Sequence, residues 1–215
     1  MKVGIFGGTF NPIHTAHLRI AEEVRDRLDL AEVVFVPAAL PPHKELAEDL
    51  PFAHRCEMVR RAIADNPAFS LSDLEGKREG KSWSIDTVRA LRLERPGDEF
   101  YFIIGSDSFL DFGSWREYAA FFHCCNIVVV ERPDAQVPAL EAVLPSDVAG
   151  EFRYHPPERR LVHRSGYSVY YLEGLPLRIS SSAVRELARL NRSIRYLVPD
   201  AVEHYIKEQR LYANG

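Results

Sequence analysis

Cysteine is scarce in this chain. Cys56, Cys124 and Cys125 are the only three among 215 residues, an odd number with two of them adjacent. That is a poor disulfide framework, and it fits a reducing cytoplasm. An excess of either charge is also missing. Lys and Arg number 27 against 31 Asp and Glu, a net charge of -4 with histidine neutral. This balance argues against a nucleic-acid or membrane-surface partner and requires any phosphate to be held by a few well-placed basic groups. No apolar run is long enough to span a bilayer, and the stretch from Met1 to Gly4 does not open a signal peptide. There is no internal repeat and no low-complexity tract.

Three familiar fingerprints are absent as well. Gly4, Gly7 and Gly8 do not fit G-x-G-x-x-G, so a nicotinamide dinucleotide site is not supported. No H-E-x-x-H occurs. Glu75–Ser82 imitates a phosphate-binding P-loop, but Glu75 occupies the place of its first glycine.

What is present is a sizeable apolar fraction, 46% of the residues, arranged as short runs that alternate with helical patterns. Strands are expected at Lys2–Phe6, Glu32–Val36, Phe69–Leu74, Phe100–Ile104, Ile127–Val130 and Tyr167–Leu172. Helices are expected at Thr15–Leu28, Phe52–Ala64, Ser84–Leu93, Ser180–Leu190 and Pro199–Gln209. In the third of these, Ile85, Val88, Leu91 and Leu93 make the inward face. Runs such as "FYFII" and "IVVV" are of the kind buried on both faces of a parallel sheet. The alternation implies right-handed crossovers and one domain, residues 1–215, with a doubly wound α/β fold: a Rossmann-like parallel sheet with helices on both faces. Gln136–Arg160 is Pro-rich and only weakly periodic. Ligands of such sheets lie at the strand carboxyl ends, here the loops after Phe6, Val36, Ile104 and Val130.

Those loops carry the chemistry-bearing residues. Gly7-Gly8 stands between a strand and a helix, where backbone N–H groups can approach an anion, although a plain tight turn explains it equally well. His14 and His17 follow, three residues apart. They read as a metal pair short of further ligands, as incidental polar residues, or as two donors aimed at a phosphate beside a helix start. Pro41-Pro42-His43-Lys44 follows the second strand. Ser84 reads as a helix N-cap. Gly105-Ser106-Asp107 follows a buried strand, with Asp107 a helix cap, a ribose ligand or a cation holder. Trp115 is either core or a stacking platform. Arg132 ends the "IVVV" strand, and "RISSSAVREL" (Arg178–Leu187) is a serine-rich helix start with Arg185 one turn in.

In this order the segments resemble the bacterial nicotinate-nucleotide adenylyltransferases of the nucleotidyltransferase superfamily. "GGTFNPIHTAH" is similar to that family's glycine turn, Thr/Ser-Phe, Asp-Pro and His-x-Gly-His, with Asn11 in place of Asp and Ala16 in place of Gly. "PPHK" matches its Pro-Pro-His-Lys, after Ala38 and Ala39 where Asn is usual. "KSWSIDTV" is similar to Ser-Tyr-Thr-x-x-Thr, with Trp83 and Ser84 replacing Tyr and Thr. "IIGSDS" and Trp115 match Ile-Ile-Gly-x-Asp-Ser and its later Trp. "ISSSAVR" resembles Ile-Ser-Ser-Thr-x-Ile-Arg, departing at Ser182 and Val184.

The resemblance implies adenylyl transfer from ATP to nicotinate mononucleotide, giving deamido-NAD and pyrophosphate, in the cytoplasm. It implies catalytic roles for His14, His17, Lys44 and Arg185. It assigns ATP to Gly7, Gly8, Thr9, Phe10, Gly105, Ser106, Asp107, Ile179, Ser180, Ser181 and Ser182. It assigns the mononucleotide to His43, Trp83, Ser84, Trp115 and Arg132. Mg²⁺ would be carried on the ATP phosphates without a protein metal site. Homo-oligomer formation is left open. The competing readings are a related adenylyltransferase acting on nicotinamide mononucleotide or phosphopantetheine, and a non-catalytic nucleotide-binding module.

Overall fold

The computed structural model describes residues 1–41, 50–132, 135, 137, 139–173 and 178–213. Its first strands follow the apolar runs. β1 (Lys2–Gly8), β2 (Glu32–Pro37), β3 (Phe69–Leu71), β4 (Glu99–Gly105) and β5 (Asn126–Val130) are joined by α1 (Thr15–Leu28), α2 (Phe52–Ala62), α3 (Ser84–Glu94) and two short helices, α4 (Ser106–Leu110) and α5 (Tyr118–Phe121). Beyond β5 lie α6 (Leu140–Val143), α7 (Ser146–Ala149), β6 (Phe152–His155), β7 (Arg160–His163), β8 (Ser168–Leu172), α8 (Ser181–Arg189) and α9 (Asp200–Glu208).

The strands form one sheet in the order β3-β2-β1-β4-β5-β8-β7-β6. The six from β3 to β8 are parallel, as the alternation of runs and helices requires. The last two pair antiparallel, β7 with β8 and β6 with β7. The fold is therefore doubly wound as expected, with an antiparallel edge added from within Gln136–Arg160 and just beyond it. β6 reads Phe-Arg-Tyr-His and is mostly exposed, so it carries no apolar run to announce it.

Both faces of the sheet are buried, and the side chains of each strand alternate between them. Phe100, Phe102 and Ile104 of β4 pack with Ile127 and Val129 of β5 against Ile85, Val88 and Leu91 of α3. Tyr101, Ile103, Val128 and Val130 face the other way, toward Ala21 and Val24 of α1, Met58 and Val59 of α2, Val184 of α8 and Val202 of α9. Leu93 does not join the α3 face and is 83% exposed. At about 100° per residue it lies about 200° round the helix from Leu91, on the solvent side.

Two helix starts bear on the site. Ser180 caps α8, its side chain accepting the Ala183 N–H at 3.2 Å. Ser84 does not cap α3: the cap position is held by Trp83, and Ser84 is the first helical residue. Ser82 is instead pulled into the preceding loop, where its hydroxyl takes two main-chain N–H groups. Among the described residues no helix is long and apolar enough to cross a membrane.

Candidate active site

The carboxyl ends of β1, β4 and β5 lie side by side, because β4 pairs with both β1 and β5. Gly7 and Gly8 end β1, Gly105 ends β4, and Arg132 follows β5. The chain leaves β1 through Phe10, at φ 48°, and a cis Asn11–Pro12 bond before α1 begins. The Phe10 ring does not reach solvent. It lies in the core against Phe6, Phe35 and His17, with centroids 5.8, 5.8 and 5.1 Å away, so only its main chain faces the loop.

His14 is the N-cap residue of α1 in extended backbone, and His17 lies one turn in. Their rings stack, with centroids 3.6 Å apart and planes 22° from parallel. The His14 main-chain N–H donates to His17 Nδ1 at 3.2 Å. With Nδ1 accepting, a neutral His17 keeps its proton on Nε2. His14 is 5% exposed. Burial, aided by the nearby Arg132 charge, holds its pKa down at about 4, well below the ordinary 6.5. His14 is thus a neutral ring at physiological pH, and it can act as a hydrogen-bond donor but not as a cation.

Asp107 and Arg132 meet across the ends of β4 and β5, Nε to Oδ1 at 3.0 Å. The fully buried Ser106 hydroxyl accepts the Arg132 N–H at 2.8 Å, which spends that side chain inside the protein. Gly105 makes the crossing possible. A Cβ there would come within 2.3 Å of the Asp107 carboxylate and 2.5 Å of Arg132 Nε.

α8 docks on the same loop from the far end of the sequence. Ser181 Oγ donates to the Pro12 carbonyl at 2.9 Å, and Arg185 donates to the Asn11 carbonyl at 2.8 Å and to Ser182 Oγ at 3.3 Å. The Asn11 side chain accepts from the Tyr212 hydroxyl at 2.6 Å. Thr15 donates from both its N–H and its hydroxyl to the Leu197 carbonyl. Thr9 is half-buried on this loop, and Ile179 packs its side chain against the core beneath α8.

A second cluster surrounds Trp83. Arg116 lies over its ring at 5.5 Å and Lys81 at 5.9 Å, while Arg116 also faces Asp86. Trp115 is anchored edge-on against Phe102, Phe121 and, more tilted, Phe112, and remains half-buried. Asp86 and Thr87 donate to the Trp83 carbonyl at 3.1 and 3.3 Å, so within α3 it is the N–H groups of Ser84 and Ile85, next to this aromatic and cationic surface in the chain, that have no helical acceptor.

The two clusters are linked by residues that sequence reasoning missed. Ala38 donates to the Gly8 carbonyl at 2.8 Å. The Ser82 hydroxyl holds the N–H groups of Ala39 and Leu40 at 2.9 and 3.0 Å. Arg55 of α2 is 1% exposed and donates to the carbonyls of Thr9, Ala38 and Ala39 at 2.9, 2.6 and 3.2 Å. A signal existed: Phe52, Arg55, Val59 and Ala62 form one helical stripe, with a cation among apolar residues. His43 and Lys44 lie outside the described residues.

The site's side chains are N–H donors and arginines, with Asp107 already paired. Among the described residues no group of three or more metal-ligating side chains gathers here. That donor set suits a phosphate, together with any divalent cation that arrives bound to phosphate.

Comparisons with known proteins agree with this picture. The cytidylyltransferase-like family profile matches residues 5–187. A protein of Geobacter metallireducens named probable nicotinate-nucleotide adenylyltransferase is 68% identical over 214 residues, covering 100% of this chain and 99% of the relative. One of Geobacter sulfurreducens with the same name is 64% identical over 214 residues, with the same coverage. Among solved structures, Plasmodium falciparum nicotinic acid mononucleotide adenylyltransferase complexed with NaAD superposes with a TM-score of 0.75. It is 22% identical, and the match covers 98% of this chain and 97% of that one. That likeness speaks to the fold.

Proposed function

This chain belongs to the nicotinate-nucleotide adenylyltransferases of the cytidylyltransferase-like family, and from that premise we propose how its residues divide the work. The enzyme transfers the adenylyl group of ATP to nicotinate mononucleotide in NAD biosynthesis. A phosphate oxygen of the mononucleotide forms the new bond to the α-phosphorus of ATP. The bond from that phosphorus to the bridging oxygen breaks, and pyrophosphate leaves. No protein nucleophile is required, since such transfers respond mainly to positioning and charge stabilisation.

The observation that carries this assignment of roles is the stacked His14–His17 pair at the start of α1, beside Gly7-Gly8 and Arg132. The glycine turn admits the phosphates. His17 donates from Nε2 as negative charge builds on the transferring group, and the neutral His14 backs it. Arg185, held at the Asn11 carbonyl, faces the triphosphate with the α8 N-terminus. The resemblance of the Pro41-Pro42-His43-Lys44 segment adds Lys44 to the groups that hold the triphosphate. Gly105 and Asp107 take the adenosine side. Mg²⁺ bound to the triphosphate supplies charge neutralisation at the leaving pyrophosphate.

The Trp83–Trp115 cluster takes the pyridine ring. The N–H groups at the start of α3, with Arg116 and Lys81 beside Trp83, favour a ring carboxylate over an amide. Its free thiols, with Cys56 and Cys125 buried, suit a cytoplasmic enzyme.

Pyrophosphate release in the presence of ATP and Mg²⁺ tests the reading. It should require nicotinate mononucleotide and should not proceed with phosphopantetheine. Nucleotide binding without turnover of any mononucleotide would instead indicate a sensor module.

A further inference from the structure

Three donor side chains meet at the opposite end of the sheet from the histidine pair, outside the machinery described above. His123 lies in the turn before β5, Glu151 follows α7, and His163 ends β7. Each offers one ligand atom, and these atoms lie within 4.8 Å of one another. His163 is 2% exposed, its ring enclosed by Phe122 and Phe152 with centroids 5.7 and 4.9 Å away. The His123 ring meets it edge-on at 4.9 Å and is exposed on its outer side.

We propose that His123, Glu151 and His163 form a binding site for a divalent transition-metal cation of the zinc class. Imidazole nitrogens and a carboxylate oxygen are that ion's ordinary donors. Tetrahedral ligation with bonds of about 2.1 Å places donor atoms about 3.4 Å apart, within a small side-chain rotation of the observed spread. His163 Nε2 and Glu151 Oε2 are already 2.8 Å apart. Arg164 occupies the other carboxylate oxygen at 3.0 Å, which leaves Oε2 for the ion.

The surroundings of His163 fit the same role. Its Nδ1 lies 2.8 Å from Ser165 Oγ, and that hydroxyl donates to the Phe122 carbonyl at 2.5 Å. A hydroxyl so committed offers its oxygen to an Nδ1–H, the arrangement that fixes a metal-binding imidazole with its Nε2 lone pair outward. The Ser165 main-chain N–H also lies 3.2 Å from Nδ1, which serves the other tautomer, with the proton on Nε2 facing Glu151. An ion at Nε2 selects the first arrangement, with the ring proton moved to Nδ1 and held by Ser165 Oγ. Water from the open side near His123 completes the coordination.

Glu151 and His163 belong to the segment between β5 and β8 and His123 precedes β5, so the three gather at the amino ends of β5 and β8. The ion would therefore fasten this segment to the sheet without entering the adenylyl-transfer chemistry.

The test is titration of the chelator-treated full chain with Zn²⁺ alone, and with Co²⁺, whose visible absorption reports its ligand geometry. One ion per chain should bind, and His123→Ala and Glu151→Gln should bind at least about tenfold more weakly. At about 100 times the dissociation constant, Zn²⁺ should shift the wild-type folding equilibrium about 100-fold toward the native state and raise its melting temperature. His123→Ala, altered at an exposed position, should melt with the metal-free wild type and lack that rise. His17→Ala should keep the binding, which separates this site from the catalytic pair. Absence of saturable binding, wild-type affinity in His123→Ala, or loss of binding only in His17→Ala would each overturn the proposal.

Discussion

At the scale of single residues, the two histidines at the start of α1 have different surroundings, and the roles proposed for them divide along that difference. His17 is half-exposed, and its Nδ1 accepts the His14 N–H, so a neutral ring carries its proton on Nε2. Losing one preorganised donor to a developing charge typically costs about 10²–10³ in kcat. His17→Ala should fall in that range with little change in KM, as steady-state kinetics would register; a kcat within threefold of wild type would contradict the role. His14 is buried with a pKa of about 4, below the ordinary 6.5. Between those values the unfolded chain binds a proton that the folded chain refuses, so stability should rise with pH across that window. Its contribution is complete above pH 6.5 and lost as pH falls to about 4, a difference on the order of 3 kcal/mol. Urea denaturation of wild type and His14→Asn at pH 4.5 and 7.5 measures it, and identical pH slopes in both proteins would refute the assignment. Arg185 gives a third case. A charge-assisted contact is worth roughly 1.5–3 kcal/mol, so Arg185→Ala should weaken ATP at least about tenfold and the mononucleotide less. Equal weakening of both substrates would assign Arg185 to holding the Asn11–Pro12 loop.

At the scale of elements, the site depends on how loops are tied together, and α2 does much of the tying. Arg55 reaches from α2 to three carbonyls on two loops, one after β1 and one after β2. Its guanidinium fork suits that geometry, and lysine, a single point of donation, does not. Arg55→Lys and Arg55→Ala should both destabilise the protein by more than about 2 kcal/mol in denaturant titrations, because buried carbonyls are left unpaired. Full stability in Arg55→Lys would show that charge alone is needed. This residue also marks where legibility ended. The glycine turn, the histidine pair and the serine-rich start of α8 could be read because each is contiguous in the chain. Arg55 and Ser82 act through carbonyls and N–H groups 16 to 46 residues away, which no local pattern displays. Serine favours a cap position, yet the chain enters α3 one residue before Ser84, at Trp83.

At the scale of the whole molecule, six parallel strands bring the β1, β4 and β5 ends together, and alternation of apolar runs with helical patterns was enough to expect this. The antiparallel edge was not legible, because β6 is short, polar and mostly exposed, and β7 is only four residues long. The parallel order places the histidine pair on one side of the site, and the Arg55 and Ser82 ties lead across to Trp83 and Trp115 on the other. The central claim is that these two clusters hold ATP and the acid form of the mononucleotide for direct transfer. A carboxylate accepts from the N–H groups at the start of α3, whereas an amide NH₂ would face those donors and leave them unpaired. Each such mismatch costs about 1–3 kcal/mol, so two give a preference of about 30-fold to over about 10,000-fold. The stacking surface cannot supply that ratio, since both rings are the same size; Trp115→Ala should weaken both substrates and keep most of the discrimination. The direct measurement is kcat/KM for nicotinate mononucleotide and for nicotinamide mononucleotide with ATP and Mg²⁺. The account predicts a preference for the acid of at least about tenfold, and a ratio near one or a preference for the amide would contradict it.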